Sequence, residues 1–249
     1  MIKKRPSLPL IVGRKPLLES IRQGISIEKI FMLRSATGEE IHQIKKLAHE
    51  KDIPLSMVPV EKLNNLTKAQ HQGVVAWTGL INYVELQAAI SHVVEKGQTP
   101  LFIMLDGVTD VRNVGAIART ALCCGAQAIV FPTSSSASLT EEAVKTSAGA
   151  LRQILLCRVP SASQAIDILR LNGIQVLATQ MKGSIAVNKA ELGLPTCIVM
   201  GAEDTGIGNE VKKHADGFIH IPMKGKFDSL NVSVAAGMVL YEAMCQREA

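Results

Sequence analysis

From Pro100 onward the chain repeatedly sets short, apolar, β-branched runs against segments of helical spacing. The runs are PLFIMLD (100–106), QAIVFP (127–132), QILLCRV (153–159), IQVLAT (174–179), TCIVMG (196–201) and FIHIP (218–222). Residues 113–124, 140–148, 161–171, 208–215 and 229–246 carry the helical spacing. Runs that are apolar throughout, rather than at alternate positions, belong to strands covered on both faces, and helices between them are the crossovers of a mostly parallel sheet. The pattern predicts an α/β domain, with no internal repeat.

The first part of the chain is a smaller version of the same idea. LPLIV (8–12), KIFML (29–33), PLSMV (54–58) and GVVAW (73–77) have strand character, and Lys15–Gln23, Glu39–Lys51 and Val60–Leu66 have helical spacing. Together they predict a compact α/β unit of about 80 residues. Residues 80–98 are expected to form a connecting helix, ended by Gly97 and Pro100. The expected organisation is therefore a small domain over 1–79, a connector over 80–98 and a larger domain over 99–249.

Composition narrows the function classes. At 47% hydrophobic over 249 residues the core can be large, yet no apolar run reaches the roughly 18 residues that a membrane span needs. The start, MIKKRPSLPLIVG, is basic but short and proline-broken, with no small-residue cleavage site, so no signal peptide is expected. The five cysteines include no CxxC pair and no Cys/His set with metal-ligand spacing, which predicts no metal and a reducing, cytoplasmic setting. A net charge of +5 favours a polyanionic partner only mildly. Aromatic content of 3% is too low for the stacked-base platforms of single-strand RNA binders. Any RNA would be held by its phosphates and shape.

In parallel sheets, ligands bind beyond the carboxyl ends of the strands. Those ends are followed here by GVTDVRNVGAIAR, AEDTGIGNEV and MKGKFDSLNVSV, rich in glycine and polar side chains. None is GxGxxG or a phosphate-cradling GxxxxGK[ST]. Gly201 fits either a turn or the close approach of a ligand. Asn113 is placed to cap a helix, and Gly115 and Ala116 invite tight packing on its first turns. Arg119, nearly two turns on, is either an ion-pair or snorkelling residue or a phosphate grip. At FDSLNVSV, either Asp228 or Ser229 caps the last helix, or the crowd of Ser229, Asn231 and Ser233 marks a polar pocket. Lys3, Lys4, Arg5, Arg14 and Lys15 cluster near the start as candidate RNA contacts or a solvated end, and Lys224 and Lys226 have the same two readings. His42 and His49 read as surface residues, His71 as a structural residue or an RNA contact, and His214 and His220 make no metal site with anything nearby.

Three segments, NVGAIAR (113–119), IVMGAEDTGIG (198–208) and IHIPMKGKFDSLNVSVAAGMVLYE (219–242), resemble in order and spacing the three motifs of the SpoU, or TrmH-like, branch of the SPOUT RNA methyltransferases. IVGRKPLLESI (11–21) and HQGVVAW (71–77) resemble the ribosomal-protein-like RNA-binding domain that precedes the catalytic domain in some members. The nearest likeness is to the bacterial 23S rRNA guanosine-2′-O-methyltransferase type. The resemblance implies a C-terminal domain with a trefoil knot, S-adenosylmethionine as cofactor, and a homodimer in which two subunits build each active site. It implies that Gly201, Ile221 and Leu230 hold the cofactor through their backbone, with Thr179 and Met223 lining the same pocket. It assigns Asn113, Arg119, Glu203, Ser229 and Asn231 to the catalytic centre, and Arg14 and Lys15 fall in the RNA-binding domain. Asp204 stands where the family often has glycine. A tRNA substrate, or a non-catalytic RNA-binding or ribosome-assembly role, are the alternatives.

Overall fold

The structure, a computed structural model, describes residues 10–79, 81–133, 139, 141–225 and 229–248, with Glu141 described through its backbone only. The described chain divides into two compact units. One extends to Asn82 and takes in Leu139; the other begins at Tyr83.

The first unit holds β1 (Leu10–Val12), α1 (Arg14–Arg22), β2 (Ile27–Leu33), α2 (Glu39–Glu50), β3 (Leu55–Val58), α3 (Val60–Leu66) and β4 (Val74–Thr78). Its sheet runs β1-β4-β2-β3, with β2 and β3 parallel and the other pairs antiparallel. Side chains alternate along each strand. Ile30, Met32, Val74 and Ala76 therefore face α1 and α2, through Leu17, Ile21, Ile41 and Ile44. Phe31 and Val75 face Leu63 of α3 on the other side. Phe31 also meets Trp77 edge-to-face at 4.7 Å. Lys3, Lys4, Arg5, Lys226 and Asp228 lie outside the described residues.

The second unit holds α4 (Leu86–Glu95), β5 (Leu101–Asp106), α5 (Val111–Cys123), β6 (Ala128–Pro132), α6 (Glu141–Thr146), β7 (Leu155–Val159), α7 (Ala162–Leu171), β8 (Gln175–Thr179), β9 (Ile185–Ala186), β10 (Thr196–Gly201), α8 (Asn209–His214), β11 (Gly217–His220) and α9 (Val232–Glu248). The seven strands run β7-β6-β5-β10-β8-β11-β9, and every pairing is parallel. β5 and β10 are buried at every residue, as their uninterrupted apolar runs require. One face packs on α4, α7 and α8 through Phe102, Met104, Val130, Val199, Ile90, Ile166 and Val211. Across the other, α9 packs on α5 and β10.

Several expectations are corrected. The connector forms a helix only over Leu86–Glu95, because Val84 is taken up by a parallel bridge to Cys157 of β7. The helix expected at 113 starts at Val111, capped by Asp110 rather than Asn113. The Asp110 carboxylate accepts from the Arg112 N–H at 2.9 Å and pairs with its guanidinium, which holds its pKa below the ordinary carboxylate value. The last helix starts at Val232, later than expected. β9, two residues long, was too short to show in any pattern. Cys124, Cys157 and Cys197 are buried, burial pushing the Cys157 thiol up to about 12, whereas Cys123 and Cys245 are exposed.

Two contacts fix the helices that flank the site. Arg247, near the end of α9, donates to the carbonyls of Leu192, Leu194, Thr99 and Pro100 at 2.6–3.0 Å. Gly115 lets α5 meet the α6 segment backbone to backbone. A Cβ there would stand 2.7 Å from the Ala143 carbonyl oxygen and 2.8 Å from Thr146 Cβ. Gly115→Ala is therefore expected to cost about 1–3 kcal/mol of stability by overpacking, measured as a lower urea midpoint with an unchanged slope.

Candidate active site

The strand order creates the site. After β5, β6 and β7 build one side of the sheet and β8 the other, β10 enters between β5 and β8. A cavity of about 470 Å³ opens at the carboxyl ends of β8, β10 and β11. Thr179, Gly201, Ile221, Met223 and Leu230, the five residues expected around a cofactor, all line it, together with Glu203 and Ser229. Met200, Ile207 and Ile219 add apolar wall.

Gly201 is required by the chain itself. The turn after it folds back, with Ala202 N–H donating to the Gly206 carbonyl at 3.1 Å and Gly206 N–H to the Ala202 carbonyl at 2.9 Å. A Cβ on Gly201 would lie 2.3 Å from the Gly206 carbonyl carbon. The far end of the loop is pinned by Asp106, a buried carboxylate that accepts from Gly208 N–H at 2.7 Å. Sequence reasoning missed Asp106; its one signal was an acidic residue closing an otherwise apolar strand. Asp204 sits in the exposed turn, accepts from Thr205 N–H at 2.9 Å, and is not among the residues of positive φ. The position does not need glycine here.

Beside the cavity, Glu203 gathers three donors on one oxygen. Its Oε1 accepts from Asn113 Nδ2 at 3.3 Å, from Val232 N–H at 3.2 Å, and from Asn231 Nδ2. Asn231 Nδ2 also donates to Asn113 Oδ1 at 3.2 Å. The other end of Asn231 caps α9, its Oδ1 accepting from Ser233 N–H at 2.9 Å, Val234 N–H at 3.4 Å and Ser233 Oγ at 2.5 Å. The cap is thus Asn231, not Ser229, which lines the cavity instead. The capping expected of Asp228 or Ser229 is corrected to Asn231, whose Oδ1 reaches the N–H groups of Ser233 and Val234 in the first turn of α9.

Residues 100–241 match the SpoU rRNA Methylase family, and residues 10–83 match the RNA 2′-O ribose methyltransferase substrate-binding domain. The chain belongs to the SpoU methylase family. It is 33% identical to a putative TrmH family tRNA/rRNA methyltransferase, YacO, of Bacillus subtilis, over 95% of both chains. Its fold is shared with the SpoU methyltransferase AviRb of Streptomyces viridochromogenes, solved in complex with AdoMet, at a TM-score of 0.61 and 23% identity, covering 96% of this chain and 90% of that one. A TrmH/SpoU tRNA modifying enzyme from A. aeolicus is 32% identical over 65% of this chain and 82% of its own, with a TM-score of 0.56. The protein is an RNA methyltransferase of the SpoU/TrmH family, whose methyl donor is S-adenosylmethionine. The cavity suits that donor. Its volume falls in the usual range for small-ligand sites, and apolar walls beside exposed strand-end backbone suit a flat, hydrogen-bonding base.

Arg119 does not join the SpoU cluster of Asn113, Glu203 and Asn231. Six residues beyond Asn113, it points about 120° away around α5. It is exposed, makes no hydrogen bond or ion pair among the described residues, and is not in the lining of the cavity. In the first unit Arg14 braces two loops, donating to the Gln72 carbonyl at 2.9 Å and the Thr37 carbonyl at 3.1 Å. Lys15 stands exposed beside it on the same groove. His71 is structural: Nδ1 accepts from Gly73 N–H at 3.0 Å, leaving Nε2 to donate to Asn64 Oδ1 at 3.1 Å. No group of three or more metal-ligating side chains occurs among the described residues, and none of their helices is long and apolar enough to cross a membrane.

The double duty of Asn231 is testable. Asn231→Ala removes the cap and should cost about 1 kcal/mol, roughly 2–4 °C in Tm. Asn231→Asp keeps the cap but sets a second carboxylate against Glu203. It should lower Tm further than Asn231→Ala does, because it loses the donor to Glu203 and Asn113 and adds like-charge repulsion, measured by thermal unfolding at neutral pH.

Proposed function

We propose that this protein transfers a methyl group from S-adenosylmethionine to the ribose 2′-hydroxyl of a guanosine in 23S rRNA, acting as a homodimer with a knotted C-terminal domain. The observation that carries the reading is the Glu203–Asn113–Asn231 cluster at the edge of a cavity lined by Thr179, Gly201, Ile221, Met223 and Leu230. A trefoil knot is supported by the entry of β10 between β5 and β8, both of which precede it in the chain, against the ordinary avoidance of threading. A ribose 2′-hydroxyl target is supported by the substrate-binding match over 10–83, and an rRNA substrate by the family description matched over 100–241. A tRNA substrate is the second reading, favoured by the A. aeolicus relative. The five unpaired cysteines suit a cytoplasmic enzyme.

When bound, S-adenosylmethionine supplies an electrophilic methyl group on a sulfonium. The chain's part is positioning. Backbone at Gly201, Ile221 and Leu230 would hold the adenine end, and Glu203, locked by its three donors, would fix the cavity wall that it lines. The 2′-hydroxyl must be polarised and aligned for in-line attack. Arg119 serves this by gripping the neighbouring phosphate with its planar fork.

Dimerisation accounts for the place of Arg119. On α9, Val234, Met238 and Tyr241 form a stripe at i, i+4 and i+7 and remain 49%, 48% and 59% exposed. α5, which carries Arg119, packs alongside. A second copy seated on this stripe covers the apolar surface and brings each Arg119 to the other subunit's cavity.

Mapping of 2′-O-methylation in rRNA and tRNA from cells with and without the gene tests the substrate. Loss of one 23S guanosine mark is expected, loss confined to tRNA selects the second reading, and no loss overturns both. Arg119→Ala should slow transfer by at least about 100-fold with cofactor affinity unchanged. With the fork of Arg14 engaged on backbone, Lys15 is the freer RNA contact, and Lys15→Ala should flatten the log–log salt dependence of RNA binding by about 0.7–0.9.

A further inference from the structure

One wall of the cavity is a short strap. Gln180, Met181 and Lys182, directly after β8, line it. The strap turns at Gly183, whose φ is +67°, and re-enters the sheet as the two-residue edge strand β9. Apolar burial does little to hold it, since Met181 and Ile185 are 51% and 52% exposed.

Polar contacts hold it instead. Gln180 N–H donates to the Ile219 carbonyl at 3.0 Å, and Gln180 Nε2 to the Lys182 carbonyl at 2.8 Å. Ser184 Oγ lies 2.7 Å from the Gln180 carbonyl and 3.0 Å from Nδ1 of His220, a cavity-lining residue at the end of β11. A hydroxyl has one proton. Given to the Gln180 carbonyl, it leaves the oxygen to accept, so His220 must carry its proton on Nδ1 and donate it to Ser184. The contact joins the strap to the strand that leads into Ile221 and Met223.

We propose that Ser184 and His220 form a latch that shapes the S-adenosylmethionine cavity, as positioning residues for cofactor binding. The inference rests on the cavity being the cofactor site. With the latch closed, Gln180–Lys182 stand as a ready wall, and Met181, half-exposed at the mouth, gains a partner when the cavity fills. With the latch broken, the strap must be ordered by the cofactor, at a cost in affinity. The latch shares no hydrogen bond with the Glu203 cluster, so the transfer step itself is spared.

The test uses the full chain and S-adenosylmethionine itself. S184A and H220Q should each weaken binding by about tenfold in calorimetry and raise KM for the cofactor in step, while kcat at saturating cofactor stays within about twofold. The double variant S184A/H220Q should bind no worse than either single one. H220N should recover most of the affinity, because an asparagine amide N–H falls near imidazole Nδ1, whereas that of glutamine falls near Nε2. Tm within about 2 °C of the unaltered chain shows that the fold is intact. Unchanged binding by S184A, equal affinities of H220N and H220Q, or a loss in kcat rather than KM each overturns the latch. Failure of the unaltered chain to bind S-adenosylmethionine overturns the cofactor reading and the latch with it.

Discussion

One carboxylate oxygen ties the edge of the strand-end cavity to two helices. Glu203 Oε1 collects the side chains of Asn113 and Asn231 and the N–H of Val232. Those three donors come from the first turn of α5 and the entrance to α9, while Glu203 itself rides on the turn after β10. α9 is long, and the positive end of its dipole adds to the attraction for an anion. Without this junction the turn at 202–206 would rely on hydrogen bonds within itself and on Asp106 at its far end. The walls of the cavity would then have no common anchor.

Physical constraints elsewhere serve the same end. Gly201 lets the turn lie directly on the strand end, Gly115 lets α5 sit close on its neighbour, and Arg247 secures the far end of α9 through backbone carbonyls. Each fixes one of the segments that Glu203 joins. The site is rigid where it meets these helices and depends on a lighter set of polar contacts where the strap after β8 closes it.

Much of the sheet could be seen in the sequence because its strands are buried on both faces. TCIVMG and PLFIMLD have no polar face to obscure, and they became β10 and β5 nearly residue for residue. Helix entrances were harder. Asp110 and Asn113, or Ser229 and Asn231, are equally good caps by residue type, and only backbone geometry decides which side chain turns back on the helix. The insertion of β10 between β5 and β8 was invisible, since periodicity carries no strand order. The five cavity residues came from a family likeness rather than from any local pattern. Arg119 shows the limit of spacing: six residues keep two side chains on one helix but not on one side of it. Asp106 and the Ser184–His220 pair were missed because each works through a neighbour far away in sequence.

The dependence of Glu203 on Asn231 and Val232 has a consequence for biosynthesis. The cavity's floor is translated well before α9, yet the anchor that completes it belongs to α9. A nascent chain therefore has no finished cavity wall while that helix is still in the ribosomal exit tunnel.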